Sequence, residues 1–379
     1  MRRLAACLLA LVPMLAGCWD QTPIEQLGFV TYVVVDGQPG DVTTYYNLIV
    51  PSRLPSGTTS SSGSSYAVVQ GHGHDLVAAS RMADLRSSRR LYFGQIQAVL
   101  LSEHLARTGG TAAVVDYFLR SPKTRSIAFM YVVPDDAVQA VAGVMPSNAA
   151  YPAQAVAYMS LVQRENGDVP PMRLFELASH LASHGESAAL PVLTTVKGGF
   201  MQSGIALFRR LNMVARLGVD EARTLGLLTP RTRMSMLTIP CNGAGTATAE
   251  LRQIRTALGT IIRQGRVAGF TLRLTGSLHI DHLDHCPTTL QPPAETALRS
   301  AAASILVGRI SSLHRALADV KSDPLGFGDV LRATSPAAWS HVASTWPAPL
   351  ASLPLQIQVR LSPDDSGLLH GTLDEGGQA

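Results

Sequence analysis

The sequence is poor in the residues that usually announce a chemistry. Four cysteines in 379 residues are too few to staple a chain of this length or to build a Cys-rich metal framework. Three of the 31 basic residues are lysines, Lys123, Lys197 and Lys321, and the arginines are scattered. No dense basic run marks a nucleic-acid surface. No apolar run reaches the ~20 residues needed to cross a bilayer. The first, Leu4 to Leu15, is too short, and the most apolar later stretch, Ile127 to Met145, is interrupted by Pro134, Asp135 and Asp136. Carboxylates are costly in lipid, so that stretch reads as a strand and a helix of a folded domain. There is no Gly-x-Ser-x-Gly elbow and no Ser-x-x-Lys-type motif for a nucleophile. Gly243-Ala244-Gly245 lacks the third glycine and the Lys-Ser/Thr of a phosphate loop. No paired carboxylates and no internal repeat stand out. The chain therefore carries no motif of an enzyme, and no cofactor or metal is expected.

What is present begins at the N-terminus. Arg2 and Arg3 precede the Leu4–Leu15 run, and Leu15-Ala16-Gly17-Cys18 follows. A short basic region, an apolar core and small residues before a cut site make a secretory signal. A cysteine directly after Leu-Ala-Gly resembles the bacterial lipobox. That resemblance implies cleavage between Gly17 and Cys18, a diacylglycerol on the Cys18 sulfur and an N-acyl group. The mature protein would then be anchored to a membrane without crossing it. Loss of Arg2 and Arg3 lowers the net charge from +4 to +2, so the high isoelectric point says little about partners. Cys7 leaves with the signal. Cys241 and Cys286 remain, either as free thiols or as one disulfide.

Along the mature chain, hydrophobic 46% is ample for buried cores, and the length suggests two or three domains. Leu27–Val35 and Thr43–Val50 flank Asp36–Asp41 and read as a hairpin. Ser56–Ser65 is almost wholly Ser, Thr and Gly and reads as a mobile loop. Asp75–Ser88 has helical spacing, with Leu76, Ala79, Met82, Ala83 and Leu85 inward and Arg81 and Asp84 outward. Leu91–Leu101 reads as one buried strand, then a helix over Glu103–Arg107. Gly109-Gly110 stops it, and Thr111 caps a helix over Ala112–Arg120. Ser126–Val133, Leu190–Thr195 and Ile205–Arg209 read as strands. So does Val267–Thr275, with Phe270, Leu272 and Leu274 on one face. Ala294–Val320 is the longest helix, its stripe running through Leu298, Ala302, Ile305, Leu306, Ile310, Leu313 and Leu317, with Arg299, Arg309 and Arg315 outside. Leu353–Leu361 alternates as a last half-buried strand.

Several segments together resemble one family. Cys18-Trp19-Asp20, with Glu25 after it, resembles the mature start of the spore germination lipoproteins, the C subunits of nutrient germinant receptors. Arg89–Gly94 followed by Leu100–Ala106 resembles that family's strand–helix signature. Gly204–Phe208, with Val214 and Leu217, resembles its central segment. Asp323-Pro324-Leu325-Gly326-Phe327-Gly328, then Trp339 and Trp346-Pro347, resembles its C-terminal signature. Gln95 stands where relatives often have His, and His104 also departs from the pattern. The resemblance implies a non-enzymatic subunit on the outer face of the spore inner membrane. It implies two integral-membrane partner subunits and a part in receptor assembly and signalling. It also favours a strand over Leu251–Ile262, whose apolar spacing alone reads as helical. The alternatives from other classes are a solute-binding lipoprotein of a transporter and a surface hydrolase.

Two clusters invite a metal. His279, Asp281, His282, Asp284, His285 and Cys286 are all competent ligand types. On a strand, however, they divide between two faces, and a polar strand end before Pro287 explains them. Gly71-His72-Gly73-His74-Asp75 reads as a loop feeding a helix N-terminus. The fold class expected is mixed α/β (α+β), multi-domain, with mixed β-sheets packed against helices. Expected divisions are a signal at 1–17, an N-terminal domain at 18–195, a C-terminal domain at 196–365 with room for a small middle subdomain, and a flexible tail at 366–379.

Overall fold

The computed structural model describes residues 23–49, 66–121, 124–166, 169–230, 232–241, 245–286 and 292–364. The signal and lipobox with Gly17, Cys18, Trp19 and Asp20, the Ser56–Ser65 segment and the 366–379 tail lie outside the described residues.

The larger sheet forms first along the chain. β1 (Leu27–Gln38) and β2 (Asp41–Ile49) make the expected hairpin, and β3 (Tyr66–Gly73) adds antiparallel to β2. α1 (Leu76–Arg86) follows, with the Asp75 carboxylate accepting from the Ala78 N–H at 2.7 Å. The segment before that cap is strand, not loop. Gly71 is needed there because a Cβ would stand 2.0 Å from the Ala79 carbonyl oxygen of α1. The buried face of α1 is Leu76, Ala79, Ser80 and Ala83. Met82 and Leu85, expected inside, face solvent at 40% and 79% exposure. The expected strand over Leu91–Leu101 is two strands, β4 (Arg90–Tyr92) and β5 (Ala98–Ser102). The chain turns away between them so that Phe93 can meet Tyr46, Tyr117 and Phe118 edge-on.

α2 (Glu103–Arg107) is capped by Ser102, whose Oγ accepts from Leu105. α3 (Thr111–Arg120) has Gly110, not Thr111, at its N-cap; Thr111 is the first helical residue and its hydroxyl is buried. β6 (Phe129–Val133), α4 (Val138–Gly143), α5 (Pro152–Asn166), β7 (Met172–Arg173) and α6 (Leu174–Ala182) follow. β8 (Ala189–Val196), β9 (Gly199–Arg209) and β10 (Asn212–Leu217) close the ten-stranded mixed sheet, in the order β10-β9-β8-β6-β5-β1-β2-β3, with β4 on β1 and β7 on β6. The expected boundary at 195/196 falls in the hairpin between β8 and β9, which pair from Ala189–Leu207 to Val196–Gly199.

Both faces of this sheet are covered. Val33, Val99 and Leu101 pack with Leu105, Phe118 and Leu177 of α2, α3 and α6. Tyr32, Val34 and Leu100 pack with Val138, Val141 and Val156 of α4 and α5. This explains why β1 and β5 read as continuous apolar runs.

The second sheet is smaller. After α7 (Val219–Leu228), β11 (Met234–Pro240), β12 (Thr246–Arg263), β13 (Arg266–Asp284) and β14 (Leu355–Pro363) line up in sequence order. The strand reading of Leu251–Ile262 holds. One face packs on α8 (Pro292–Asp319) through Leu306, Ile310, Leu313 and Leu317. Arg299, expected outside, is half-buried, while Arg309 and Arg315 are exposed. The same core takes in Ala189, Ile205 and Leu207 of the larger sheet. Cys241 and Cys286 form a disulfide with Cα atoms 5.6 Å apart. No described helix is long and apolar enough to cross a membrane.

Candidate functional site

The C-terminal signature lies where the two sheets meet. α8 ends at Asp319, and Lys321 turns the chain with a left-handed φ of 54°. Ser322 and Asp323 are thereby driven into the interior, 0% and 1% exposed. The Ser322 hydroxyl donates to the Phe208 carbonyl of β9 at 2.7 Å. Asp323 and Ser187 hold each other twice: the Asp323 N–H donates to Ser187 Oγ at 3.0 Å, and the Ser187 N–H donates to the Asp323 carbonyl at 2.8 Å.

The Asp323 carboxylate is ringed by donors. Oδ1 accepts the N–H groups of Gly326 and Phe327 at 3.0 and 3.1 Å. Oδ2 accepts the Gly328 N–H at 2.9 Å and the Trp346 indole N–H at 3.2 Å. These groups belong to the N-terminal turn of α9 (Phe327–Thr334), where the helix leaves orphan donors. Gly328 can only be glycine: a Cβ would stand 2.4 Å from the Trp346 Nε1 and 2.6 Å from the Gly185 carbonyl. Phe327 packs on Phe270 of β13 at 4.9 Å, and Trp346 on Phe270 at 5.9 Å. Asp329 completes the seam, its N–H donating to the Gly185 carbonyl at 3.1 Å and its Oδ2 accepting from the Ser183 hydroxyl at 3.1 Å.

Burial pushes the Asp323 carboxyl up to about 7, while the N–H groups of Gly328, Phe327 and Gly326 pull it back down. The carboxyl is 1% exposed and its two oxygens are taken up by four donors. Its chemistry is to hold α9, α10 (Pro336–Ser340) and the Trp346 loop against the 183–189 segment. Beside it lies a cavity of about 310 Å³ lined by Gln163, His180, Glu186, Leu225, Pro230 and Leu325. His180 Nδ1 stands 3.3 Å from Glu186 Oε1 at its wall.

The other signatures build parts of the first sheet. Arg89–Gly94 and Leu100–Ala106 become β4, β5 and the start of α2. His104 is exposed, its N–H donating to Asp135 at 2.8 Å, and Gln95 is exposed. Glu25 sits in a 3-10 turn, Ile24–Gln26, ahead of β1. The His-rich segment does not converge. His279 Nε2 lies 3.6 Å from Asp281, and His285 Nε2 lies 3.6 Å from Asp284. Cys286 is engaged in the disulfide. Among the described residues no group of three or more His, Cys, Asp or Glu side chains is set to hold a metal.

The sequence marks Gly326, Phe327 and Gly328 as a motif without a role, and nothing in it marks Ser187 or Gly185. The short signature carries one local signal, an Asp followed at three and five residues by glycines, which suits a side chain bonding its own downstream backbone. Its partner Ser187 lies 136 positions away, which no local pattern reveals.

Comparison with known proteins agrees along nearly the whole chain. The family profile described as spore germination protein N-terminal domain matches residues 20–195. The profile described as spore germination B3/GerAC like, C-terminal, matches residues 203–367. Spore germination protein KC of Bacillus subtilis (strain 168) is 21% identical over 396 aligned residues, covering 98% of this chain and 97% of that protein. Spore germination protein B3 of the same organism is 23% identical over 349, covering 88% and 89%. The crystal structure of the GerBC protein superposes with a TM-score of 0.55 at 16% identity, covering 90% of this chain and all of that one, 100%.

Proposed function

This chain belongs to the Ger(x)C family of spore germination proteins, and on that premise we propose that it is the lipid-anchored C subunit of a nutrient germinant receptor. The observation that carries the reading is the junction Leu15-Ala16-Gly17-Cys18, placed directly ahead of the first family-matched residue, Asp20. Cys18 becomes residue one, S-diacylglycerol-modified and N-acylated, with Gly17 on the leaving side. Trp19, Asp20 and Glu25 are family motif residues that precede β1 in the sequence. In family terms the units are 18–195 and 196–365, the second contributing β9 and β10 to the larger sheet. It sits on the outer face of the spore inner membrane and joins two integral-membrane subunits, helping them assemble and relay the germinant signal.

The subunit works as a scaffold and not as an enzyme. The enclosed Asp323 node supports this, since the most elaborate polar cluster of the signature is spent on joining two sheets. A solute-binding lipoprotein would present two like lobes about a hinge; here a ten-stranded sheet is fused to a four-stranded one of different order.

Replacing Cys18 with Ala tests the anchor. The thiol is the group at the junction that takes the diacylglycerol. Each buried acyl CH₂ contributes ~0.8 kcal/mol of membrane affinity. An unanchored subunit must also find its partners from bulk solution, without the effective concentration that a tether supplies. Spores carrying Cys18→Ala are expected to show the protein released from membranes, to germinate slowly through this receptor, and to retain the wild-type unfolding profile. The checks are mass spectrometry of the N-terminus, membrane fractionation and germination kinetics. A wild-type chain without lipid at Cys18, or a mutant that germinates at the normal rate, defeats the reading.

A further inference from the structure

The outer face of α1 does not resemble an ordinary solvated helix face. Leu85 is 79% exposed, Val77 55% and Met82 40%. Interleaved with them, Arg81 and Arg86 are exposed too. Just beyond the helix come Arg89 and Arg90. None of these four arginines makes an ion pair with a described residue; Arg86 donates only to the Gln70 carbonyl, at 3.3 Å. The acidic side chains near this face are few. Asp75 caps the helix start, and Asp84 accepts from the Leu91 N–H at 3.1 Å. The face mixes exposed Leu, Met and Val with arginine, the two kinds of side chain a contact with a headgroup layer uses: apolar groups for its interior and cations for its phosphates.

The position of this face fits the same partner. β4 pairs in parallel with the start of β1, Leu27 opposite Arg90. The arginine pair that ends the α1–β4 connection is therefore beside the point where the chain enters the fold. There Ile24 is also 63% exposed. Cys18 is five residues before Pro23, and five residues reach at most about 18 Å. α1 starts over the far end of β3, where Gly71 and Gly73 meet Ala79, and runs back toward that entry, ending at Arg86, four residues before Arg90. A lipid on Cys18 thus holds this corner of the molecule at the bilayer.

We propose that the exposed face of α1, with Arg89 and Arg90, is a membrane-docking surface that lies on anionic phospholipid headgroups and fixes the orientation of the subunit on its membrane. The inference rests on the lipidation of Cys18 proposed above, but it makes a separate claim: the contact is by protein side chains and depends on negative lipid charge.

The test uses the mature protein as cells make it, purified in detergent and reconstituted into vesicles. The vesicles are either phosphatidylcholine alone or phosphatidylcholine with phosphatidylglycerol, each containing brominated lipid as a quencher. Leu85→Trp reports on α1, and Leu211→Trp on the β9–β10 turn at the opposite edge of the sheet; emission of the parent chain is subtracted. Leu85→Trp is expected to lose most of its added emission on the anionic vesicles and to keep it on neutral ones, with Leu211→Trp unquenched on both. The variant Arg86→Gln/Arg89→Gln/Arg90→Gln in the Leu85→Trp background should regain the emission, since each arginine near an anionic surface strengthens attachment about fivefold. Absence of quenching at Leu85→Trp, equal quenching at both sites, or equal quenching on neutral vesicles overturns the proposal. The mass of the N-terminus separates the two claims. If Cys18 carries no lipid, the anchor reading fails. The surface then stands if the wild-type chain sediments with anionic but not neutral vesicles and the triple variant does not. It falls if the wild-type chain fails to sediment with anionic vesicles.

Discussion

The two sheets differ in how they are covered, and the difference is written into their strands. In the larger sheet, neighbouring residues of one strand enter opposite cores: on β5, Leu100 packs toward α4 and α5 while Leu101 packs toward α2 and α3. Both are fully buried. In the smaller sheet, neighbours part company. On β13, Leu272 is buried under α8 while Arg273 points to solvent and donates to Gln358 at 3.1 Å. A sheet covered on both faces demands an unbroken apolar run, whereas a sheet covered on one face demands alternation. The smaller unit thus has one core, and it borrows Ile205 and Leu207 of the larger sheet to complete it. It should depend on its neighbour more than its neighbour depends on it.

The seam is the place to break that dependence. Asp323→Ala removes the acceptor of four N–H groups and leaves them buried without partners. Orphaned buried donors and broken buried charge networks are among the largest single-site effects, and about 3–5 kcal/mol is expected. The loss should be larger for the four-stranded unit than for the ten-stranded one. Hydrogen exchange resolved by segment checks this: β12 and β13 should lose protection before β5 and β6 do. Equal loss in both sheets would mean that the seam joins two elements of a single cooperative unit.

The contrast in covering is sharpened by substituting adjacent pairs. Leu100→Ala and Leu101→Ala should each destabilise by about 2–5 kcal/mol, since each empties space in a packed core. Leu272→Ala should do the same, whereas Arg273→Ala should stay within about 0.5 kcal/mol, as exposed substitutions do. Denaturant titration of the four variants provides the measurement. A large effect from Arg273→Ala would show that the outer face of the smaller sheet is covered after all.

Much of this was legible in the sequence, for reasons that follow from the same contrast. Strict alternation marked β13 and β14, and helical spacing marked α8, because one-sided burial leaves a periodic trace. The apolar run over Leu91–Leu101 was read as one strand because a run without polar punctuation hides where the backbone leaves the sheet. On α1, Met82 and Leu85 have the spacing of core residues but face outward, so periodicity alone assigned them wrongly. The apolar spacing of β12 mimicked a helix, and only the family resemblance corrected it. The signature Asp323–Gly328 was visible as a motif. Its meaning was not, because Ser187 and Gly185 are brought to it by the tertiary fold. The sequence leaves Cys241 and Cys286 either free or paired, and the structure sets them just past the ends of β11 and β13, on either side of β12.

That disulfide offers the gentlest way to separate the two regions. Cys241 follows β11 and Cys286 follows β13, and both strands flank the start of β12: Pro240 pairs with Thr246, and Thr246 with Asp284. The bridge therefore ties together three strand ends of the four-stranded sheet. It closes a loop with a sequence separation of 45. Restricting the unfolded chain by that much corresponds to about 4 kcal/mol in the chain-entropy account, and measured losses on removing such bridges run about 2–4 kcal/mol. Cys241→Ala/Cys286→Ala is accordingly expected to lower stability by about 2–4 kcal/mol without disturbing the larger sheet. The paired variant is preferable to a single one, because it leaves no free thiol to mispair. Because the bridge lies away from the Asp323 seam, its loss should loosen the four-stranded unit alone. Exchange should quicken in β11, β12 and β13, while the amides of β1, β5 and β6 keep wild-type rates. If the larger sheet loses protection in step, the asymmetry drawn between the two regions is wrong, and the chain unfolds as one body whose halves cannot be destabilised separately.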